Sequence, residues 1–570
     1  MTQYETIQSN NFHSDNHSCV DEFRDSPRNI QEDEEEYQRR NQQSSPTPIT
    51  WSVIRYAACA ALNSCALGYD LGVNTSASLL VQTSMDLSTS QIELFVAAMD
   101  FCAMIGAACA HFISDKYGRK GLFAISAGGF VVGTLTMSCS QSYRILLVGR
   151  AIVGTCVGFG LAVDPIYISE VSPPDRRGEL VSWSEIALNI GVVLGFASGL
   201  LFYRLPEDVA WRWMFGMGSP LPIAMLIFLS WPGFVSESPR WLVQKGKISE
   251  ATSVFHTIYH SDGNADVAVE AQIKEIRDSI RRDTEADLAY GWSFLFRPSP
   301  AYKRMLMVGI GTAVAQQLAG IDAVGAFLVF IMDDSGVTSR LNQSLILITL
   351  QILKLTTVIV ASKMFDKRGR RFFLIGSLLG ITASLLLLSW SFAESNANGG
   401  GGNNGVAILG LGSYLICFSV GMGPLAWLIP SEVFSNTIRA KAMSLTTFLN
   451  RLTGSIMQST FLTLEDKLGW AGLFVLYAGI CILLSFWVFT YLPETKGKSL
   501  EEMTTFFAEV TGDRSILDME ASFANVLREN EISTQNNKAD PKTEESAIIQ
   551  GKNLEMTEST TMQRGESTLT

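Results

Sequence analysis

The chain is short of charged residues and lacks the motifs on which most enzymes depend. Charged residues make up 17% of its 570 residues, against about 25% in a typical soluble domain. The five histidines form no HExxH or similar cluster, and no phosphate-binding loop, dinucleotide fingerprint or nucleophile elbow is present. These absences leave an enzymatic function unsupported, and we expect no metal or other cofactor.

The cysteines lack any recognisable pattern. None of the nine forms a CxxC pair or has metal-ligand spacing, and all but Cys19 lie in apolar segments. Free cysteines in such segments behave as small buried hydrophobic residues. The net charge of −12 arises mainly from the two tails, and we expect no nucleic-acid partner.

Apolar runs are what the chain has in abundance. A membrane-spanning helix needs about 20 mainly apolar residues, and twelve segments qualify, here named spans 1 to 12 in chain order. They are 52–73, 93–113, 121–140, 145–168, 180–203, 213–232, 303–331, 342–364, 372–392, 405–430, 438–463 and 470–492. We therefore predict an all-α membrane protein that crosses the lipid bilayer twelve times.

Shifts in composition divide the chain into six parts. We predict a disordered tail at 1–50, a six-helix bundle at 51–235, a helical linker at 236–300, a second six-helix bundle at 301–493, a short helix at 494–507 and a disordered tail at 508–570. The first tail lacks a basic start followed by a short apolar core, so we expect no cleavable signal peptide.

Basic clusters predict the orientation of the spans. With twelve spans, one face collects the clusters at 115–120, 174–178, 240–247, 366–371, 438–441 and 494–498. Loops rich in Lys and Arg remain in the cytoplasm. We therefore expect this side, named the basic face, and both tails to be cytoplasmic.

The two halves resemble each other. "DKYGRK" at 115 returns as "DKRGRR" at 366, an offset of 251 residues, and "EVSPPDRRG" at 170 returns as "EVFSNTIRAK" at 432, an offset of 262 residues. Two matches at nearly equal offsets, in corresponding loops, indicate a duplicated six-helix unit, which is typical of membrane transporters.

Several motifs identify a family. "GRAIVG", "YISEVSPPDRRG", "SESPRWLVQKGK", "QQLAGID", "GMGPLAWLIPSEVF" and "LPETKGKSLEEM" occur in order between residues 51 and 503. With the two repeated loops, they resemble the sugar porter family of the major facilitator superfamily. The resemblance implies two pseudo-symmetric six-helix bundles that rock around a central sugar or polyol site.

The resemblance also implies a charged network that gates the basic face by tying the two bundles together. Exposed ion pairs contribute roughly 0–1 kcal/mol each, so such a gate needs several. Its expected members are Arg119, Glu170, Arg177, Glu237, Arg240, Asp366, Arg370, Glu432, Arg439 and Glu494. The alternative, charges that only orient the spans, leaves the carboxylates at matching loop positions unexplained.

Polar residues of span 7 are candidates for the substrate site. Sugar hydroxyls both donate and accept hydrogen bonds, which suits the amides of Gln316 and Gln317 and the carboxylate of Asp322. On an unbroken helix, Gln317 and Asp322 differ by about 140° and do not share a face. Gly320 between them is a position where the helix can loosen.

The family resemblance extends this site to other spans. It implies that Gln316 and Gln317 bind substrate hydroxyls, that Trp427 stacks on the substrate, and that Asn189 and Asn450 make further polar contacts. An ordinary packing role for Trp427 is the alternative.

Two charges depart from the hexose pattern. Asp322 and Lys354 occupy positions where the family usually has asparagine. Each charge is costly at bilayer depth, and a mutual pair cancels much of that cost. Together with "NR" at Asn450, the two charges resemble the plant branch of polyol and monosaccharide–proton symporters. The aromatic pair expected after "GID" is missing.

A carboxylate in span 1 is the candidate proton site. Asp70 resembles the aspartate of proton-coupled sugar porters, and Arg150 in span 4 is its expected partner. Burial favours the protonated acid and a nearby guanidinium favours the anion, so separating the pair loads a proton. A static structural pair is the alternative. Asp100 and Asp164 stand where neutral residues are expected. One interpretation is that either carboxylate tunes the proton affinity or the cavity; for Asp164, close to the basic face, simple hydration is the alternative.

These observations predict proton-coupled symport of polyols or monosaccharides by alternating access, with the proton as coupling ion and the monomer as the functional form. The plasma membrane is the expected location, with the vacuolar membrane as alternative. A facilitative hexose uniporter remains the alternative function. A sugar sensor is disfavoured because sensors have longer tails.

Overall fold

The computed structural model describes residues 49–173, 176–258, 269–270, 272–281, 297–362, 364, 369–397, 404–435, 438–498 and 500–517. Every regular element within these ranges is a helix. The predicted tails lie largely outside the described residues, as do 259–268, 271 and 282–296 of the predicted linker.

Twelve membrane helices form two six-helix bundles. Spans 1 to 6 are Trp51–Met85, Thr89–Ser138 (spans 2 and 3), Tyr143–Val171, Arg177–Leu201, and Glu207–Gly216 with Pro220–Ser230. Spans 7 to 12 are Pro300–Leu318 with Ile321–Ala326 and Leu328–Asp334, then Arg340–Ser362, Arg370–Ala397, Asn404–Val420 with Met422–Val433, and Arg439–Tyr491 (spans 11 and 12). Thr89–Ser138 and Arg439–Tyr491 each contain two spans, which are separated by a residue with non-helical backbone angles: Gly118 in the first and Gly469 in the second.

Hydropathy and length agree with this count. In the described part of the chain, nine helices are long and apolar enough to cross a membrane, and the two longest each contain two spans. Span 1 has the length, 35 residues, but Asn63, Asp70 and Asn74 lower its hydropathy. It also continues to Met85, well beyond the predicted end at residue 73.

Shorter helices follow each bundle on the basic face. Pro239–Gln244 and Ile248–Ile258 follow span 6, and Leu500–Thr511 follows span 12. The last helix was predicted to end at 507, and the structure corrects this. One side of the helix is a stripe of buried apolar residues that includes Met503, Phe507 and Ala508. Because this stripe extends past residue 507, the helix continues beyond the predicted boundary.

Spans 1 and 5 approach closely because both carry glycine at the contact. A Cβ atom on Gly68 would lie 1.9 Å from the Leu188 carbonyl oxygen, and one on Gly191 would lie 2.0 Å from the Cys65 carbonyl oxygen. Small residues at such crossings let helix backbones touch. This contact fixes Asp70 and Asn189, which lie beside these glycines in sequence.

The repeated loops form the same set of charged contacts in both halves, and each set is here named a clasp. Gly118 turns the chain with a φ of 82°. The next residue, Arg119, forms an ion pair with Glu170 at 3.0 Å, and its N–H donates to Glu237 at 2.8 Å. Burial raises the pKa of Glu237, while the backbone N–H donors act in the opposite direction.

The second half repeats each of these contacts. Gly369 has a φ of 91°, Arg370 forms an ion pair with Glu432 at 3.1 Å, and the Arg370 N–H donates to Glu494 at 2.9 Å. The correspondence confirms the internal repeat that the sequence predicted.

In the conformation described, the clasps do not join the two halves, and the expected gate remains a prediction for the conformation in which the opposite face is open. Each set of bonds joins loops of the same half. Glu237 in the first half and Glu494 in the second accept from the first N–H groups of the helix that begins after the glycine turn in the same half. Arg177 is exposed, Arg240 lies in the first turn of a short linker helix, and Arg439 donates to the Phe434 carbonyl oxygen. Asp366 lies outside the described residues.

We expect Gly68→Ala to disrupt the crossing of spans 1 and 5, since the added methyl group meets backbone that has no side-chain freedom to yield. The yield of monodisperse full-length protein and its thermal unfolding midpoint should both fall. Gly128→Ala is the matched control, because nothing lies within 4 Å of its added Cβ. Equal behaviour of the two variants would contradict the close crossing.

Candidate functional site

A buried ion pair joins spans 1 and 4. Nη1 of Arg150 donates to Oδ2 of Asp70 at 2.7 Å, and both side chains are only 1% exposed. The guanidinium also lies over the ring of Phe95, 5.1 Å from its centroid. The predicted partners are therefore in contact, and they are sealed from solvent in this conformation.

A cavity of about 160 Å³ lies between the two halves beside this pair. A cavity of roughly 150 Å³ accepts a six-membered ring such as benzene. Its polar lining comes from spans 1, 2, 4, 5, 7, 8 and 11, and comprises Asn74, Thr75, Asp100, Arg150, Glu185, Asn189, Asp322, Gln351, Lys354 and Gln458. Carboxylates, amides and cations are the groups that bind a hydroxylated solute.

Span 7 is broken where the sequence predicted. Gly320 adopts a φ of 88° between two helical segments, in a conformation that favours glycine. The break lets the side chain of Gln317 reach Asp322, with its Nε2 donating at 2.8 Å. Irregular backbone at membrane depth is tolerated where it lines a cavity.

The amides of span 7 continue into span 11. The Asn450 amide donates to the Ala313 carbonyl oxygen at 2.7 Å and to Oε1 of Gln316 at 3.1 Å, and Asn450 accepts from Gln317 at 3.3 Å. Gln316, Gln317 and Asn450 are thus brought together, but none of them is in the cavity lining, and Trp427 is not in it either.

The ionic partner of Asp322 differs from the expected one. Arg451, the residue after Asn450, lies 3.5 Å from Oδ2 of Asp322 and 3.2 Å from Oδ1 of Asp100. Within the described chain, no carboxylate lies at ion-pair distance from Lys354. The guanidinium of Arg451 reaches between two helices, whereas Lys354 lies across the cavity, facing Asp322 and Glu185 from span 8.

Asn189 binds across the two halves. Its Oδ1 accepts from the Gln351 amide of span 8 at 3.0 Å, and its own amide donates to the Glu185 carbonyl oxygen at 2.8 Å. The sequence contained a signal for Gln351, because it is a polar residue within an apolar span, and it was missed as a candidate site residue.

Asp164 is buried rather than hydrated. It is 2% exposed, and it accepts hydrogen bonds from Asn63 at 2.9 Å and Ser64 at 2.6 Å. The alternative of hydration was wrong because span 1 covers this face of span 4, which proximity to the loop in sequence does not reveal.

Contacts between the halves are also found toward the face opposite the basic loops. Arg340 forms an ion pair with Glu207 at 3.5 Å and donates to the Leu205 carbonyl oxygen at 3.0 Å. Glu93 accepts from the N–H and hydroxyl of Thr463 at 2.7 and 2.5 Å. The halves are thus joined on this outer side while Asp70 and Arg150 are in contact.

Residues 56–507 match the family model described as "Sugar (and other) transporter". The chain belongs to the sugar transporter family. This transporter is 34% identical over 478 residues to "Putative polyol transporter 1" of Arabidopsis thaliana, which covers 81% of this chain and 93% of the relative. It is 31% identical to "Plastidic glucose transporter 4" of the same plant, over 79% and 80% of the two chains.

Solved structures support the fold of the transporter. The inward-open conformation of the xylose transporter XylE from E. coli superposes with a TM-score of 0.66 at 24% identity, covering 80% of this chain and 99% of that one. The all-α fold with two six-helix bundles is therefore confirmed. The transporter is a multi-pass integral membrane protein.

We expect Asp322→Asn to weaken solute uptake by this transporter, because a hydrogen bond to a charged group contributes about 1.5–3 kcal/mol. The KM should rise by about tenfold or more, with the amount of folded protein preserved. Asp466→Asn, at an exposed position, is the control. An unchanged KM would remove Asp322 from the binding site.

Proposed function

We propose that the chain is a proton-coupled symporter of polyols or monosaccharides that works by alternating access. The observation that carries the proposal is the sealed Asp70–Arg150 pair at the edge of a cavity between the two halves whose lining includes charged and amide side chains. An ion pair of this kind is a poor stabiliser, because desolvation opposes the Coulomb attraction. Its retention at membrane depth therefore favours a functional role.

The substrate class follows from the chemistry of the cavity and from the relatives. Asp322, Glu185 and Lys354 offer two anions and a cation to a hydroxylated chain, beside the amides of Asn189 and Gln351. Several relatives at 30–34% identity are named polyol transporters. We propose that this set binds hydroxyl groups of a linear or cyclic polyol or a monosaccharide.

The amides outside the cavity complete the proposed site when the halves close. Gln316, Gln317 and Asn450 form one network behind Asp322. Rocking of the second half brings them, with Trp427, to the solute. In the conformation described, the network holds Asp322 in place.

Proton coupling follows from the contact between spans 1 and 4. When the outer side opens and Arg150 withdraws, Asp70 becomes a buried anion without a cation, so it takes up a proton. When the halves have closed around the solute and then open toward the basic face, Arg150 returns and the proton leaves on that side. Loss of the charge lets the halves pass through the occluded state without an unpaired buried anion.

The clasps of the basic face act as the proposed gate. In the conformation described, the pairs of Arg119 and Arg370 hold each half together. When the basic face closes, the same charges exchange partners across the halves. The proposed members are Arg119, Glu170, Arg177, Glu237, Arg240, Asp366, Arg370, Glu432, Arg439 and Glu494.

We further propose that the basic face and both termini are cytoplasmic, since basic loops remain on that side. The plasma membrane is the proposed location and the monomer the proposed functional unit. The proton is the only coupling ion in this proposal, and no cofactor takes part.

Asp70→Asn should separate exchange from accumulation. Equilibrium exchange of labelled sorbitol or xylose should persist, because asparagine imitates the protonated acid. Accumulation driven by a pH difference of about one unit should fall by about tenfold, the free-energy equivalent of one proton. Proteoliposomes containing the full chain allow both measurements.

Asp86→Asn is the matched control, since Asp86 is exposed at the end of the same helix in a left-handed conformation that asparagine also adopts. Undiminished accumulation by Asp70→Asn would exclude Asp70 as a proton carrier. Wild-type uptake that ignores the pH difference would favour a facilitative uniporter.

A further inference from the structure

One face of span 2 is covered by span 11 of the other half, and it carries a second carboxylate. Ala97 accepts from Ser455 at 3.2 Å, and Asp100, nearly one turn further along, accepts from Gln458 at 2.6 Å and from Arg451 at 3.2 Å. The Asp100 side chain is 4% exposed. Ser455, Gln458 and Arg451, the residues that bind this face of span 2, all belong to span 11.

Rocking of the halves must break these contacts. Asp100 moves with the first half and Arg451 with the second, so opening of the outer side draws the cation away from the acid. The outer contact of Glu93 with Thr463 lies on the same two spans and opens with them. Asp100 then faces the widened cavity, whose lining it already joins.

Arg451 has a second anion within its own half. Asp322 lies 3.5 Å from the same guanidinium nitrogen that contacts Asp100. On opening, Arg451 keeps a partner, whereas Asp100 loses the one cation that pairs with it in the described part of the chain. An unpaired carboxylate at membrane depth costs several kcal/mol, and protonation removes that cost.

We propose that Asp100 is a second proton-binding site, so that each solute molecule is accompanied by two protons. The carboxylate takes one proton from water on the outer side, and the return of Arg451 releases it to water on the opposite side. The proposal rests on the proposed symport function. Asp70 carries the other proton.

Charged groups around Asp100 are compatible with this cycle. Two cations and two anions line the cavity beside it: Arg150, Lys354, Glu185 and Asp322. Arg451 and Asp70 lie outside the lining, in ion pairs with Asp100 and Arg150. In the conformation described, Arg150 is bound to Asp70, and Arg451 is the cation in contact with Asp100.

The test is the number of protons per solute, measured at zero net flux. Proteoliposomes with the full chain hold labelled sorbitol or xylose at a tenfold gradient, with the membrane potential clamped at zero by potassium and valinomycin. One proton balances this gradient at a pH difference of roughly one unit, and two protons at roughly half a unit. We expect half a unit for the wild type and one unit for Asp100→Asn.

Glu93→Gln is the control, because Glu93 is covered by the same span but binds only neutral donors. Its balance point should stay at half a unit, and a shift in this variant too would overturn the assignment to Asp100. Asp100→Glu should retain two protons. Arg451→Gln removes the cation that expels the proton, so the number of protons per solute molecule should fall to one. This variant replaces Asp100→Asn in the test if Asp100→Asn does not fold.

Two failures are distinguishable. A wild type that balances at one pH unit, unchanged in Asp100→Asn, would overturn the second proton site and leave Asp70 in its role. If no pH difference brings the net flux down the tenfold solute gradient to zero, the proposed symport itself is overturned.

Discussion

The structure depends on the pairing of a carboxylate and a guanidinium where water is excluded. Asp70 and Arg150 are each 1% exposed and 2.7 Å apart. The membrane interior does not solvate an ionised group that has lost its partner. In the proposed cycle, protonation of Asp70 removes the anion before the two helices separate. The pairing would thereby link helix movement to proton binding.

The two halves are held by contacts of different kinds. On the basic face, a glycine turn, an arginine and two glutamates join the helix ends within each half, and the geometry at Gly118 is repeated at Gly369. At mid-depth and on the outer side, polar bonds such as those of Asn189 and Asp100 cross between the halves. Halves that each have their own contacts and are joined by exchangeable polar bonds suit a rocking movement.

Much of this arrangement was predictable from sequence. Apolar runs and repeated loops predict twelve spans in two bundles, and Gly320 predicts the break that lets Gln317 meet Asp322. The pairing of Asp322 was not predictable, because a charge in one span has several potential partners and only the packing of spans 2, 7 and 11 selects Arg451 over Lys354. The burial of Asp164 was missed for the same reason. The polar residues Gln351 and Gln458 carried a signal, being amides at bilayer depth, but their partners lie in the other half.

The most direct test of proton coupling follows protons and solute together in the wild-type protein. Vesicles containing the full chain and a trapped pH indicator are given sorbitol or xylose under a clamped membrane potential, with no initial pH difference. We predict that downhill solute entry acidifies the interior, in proportion to the solute taken up. Solute entry without any change in internal pH would contradict the coupling and leave a passive carrier.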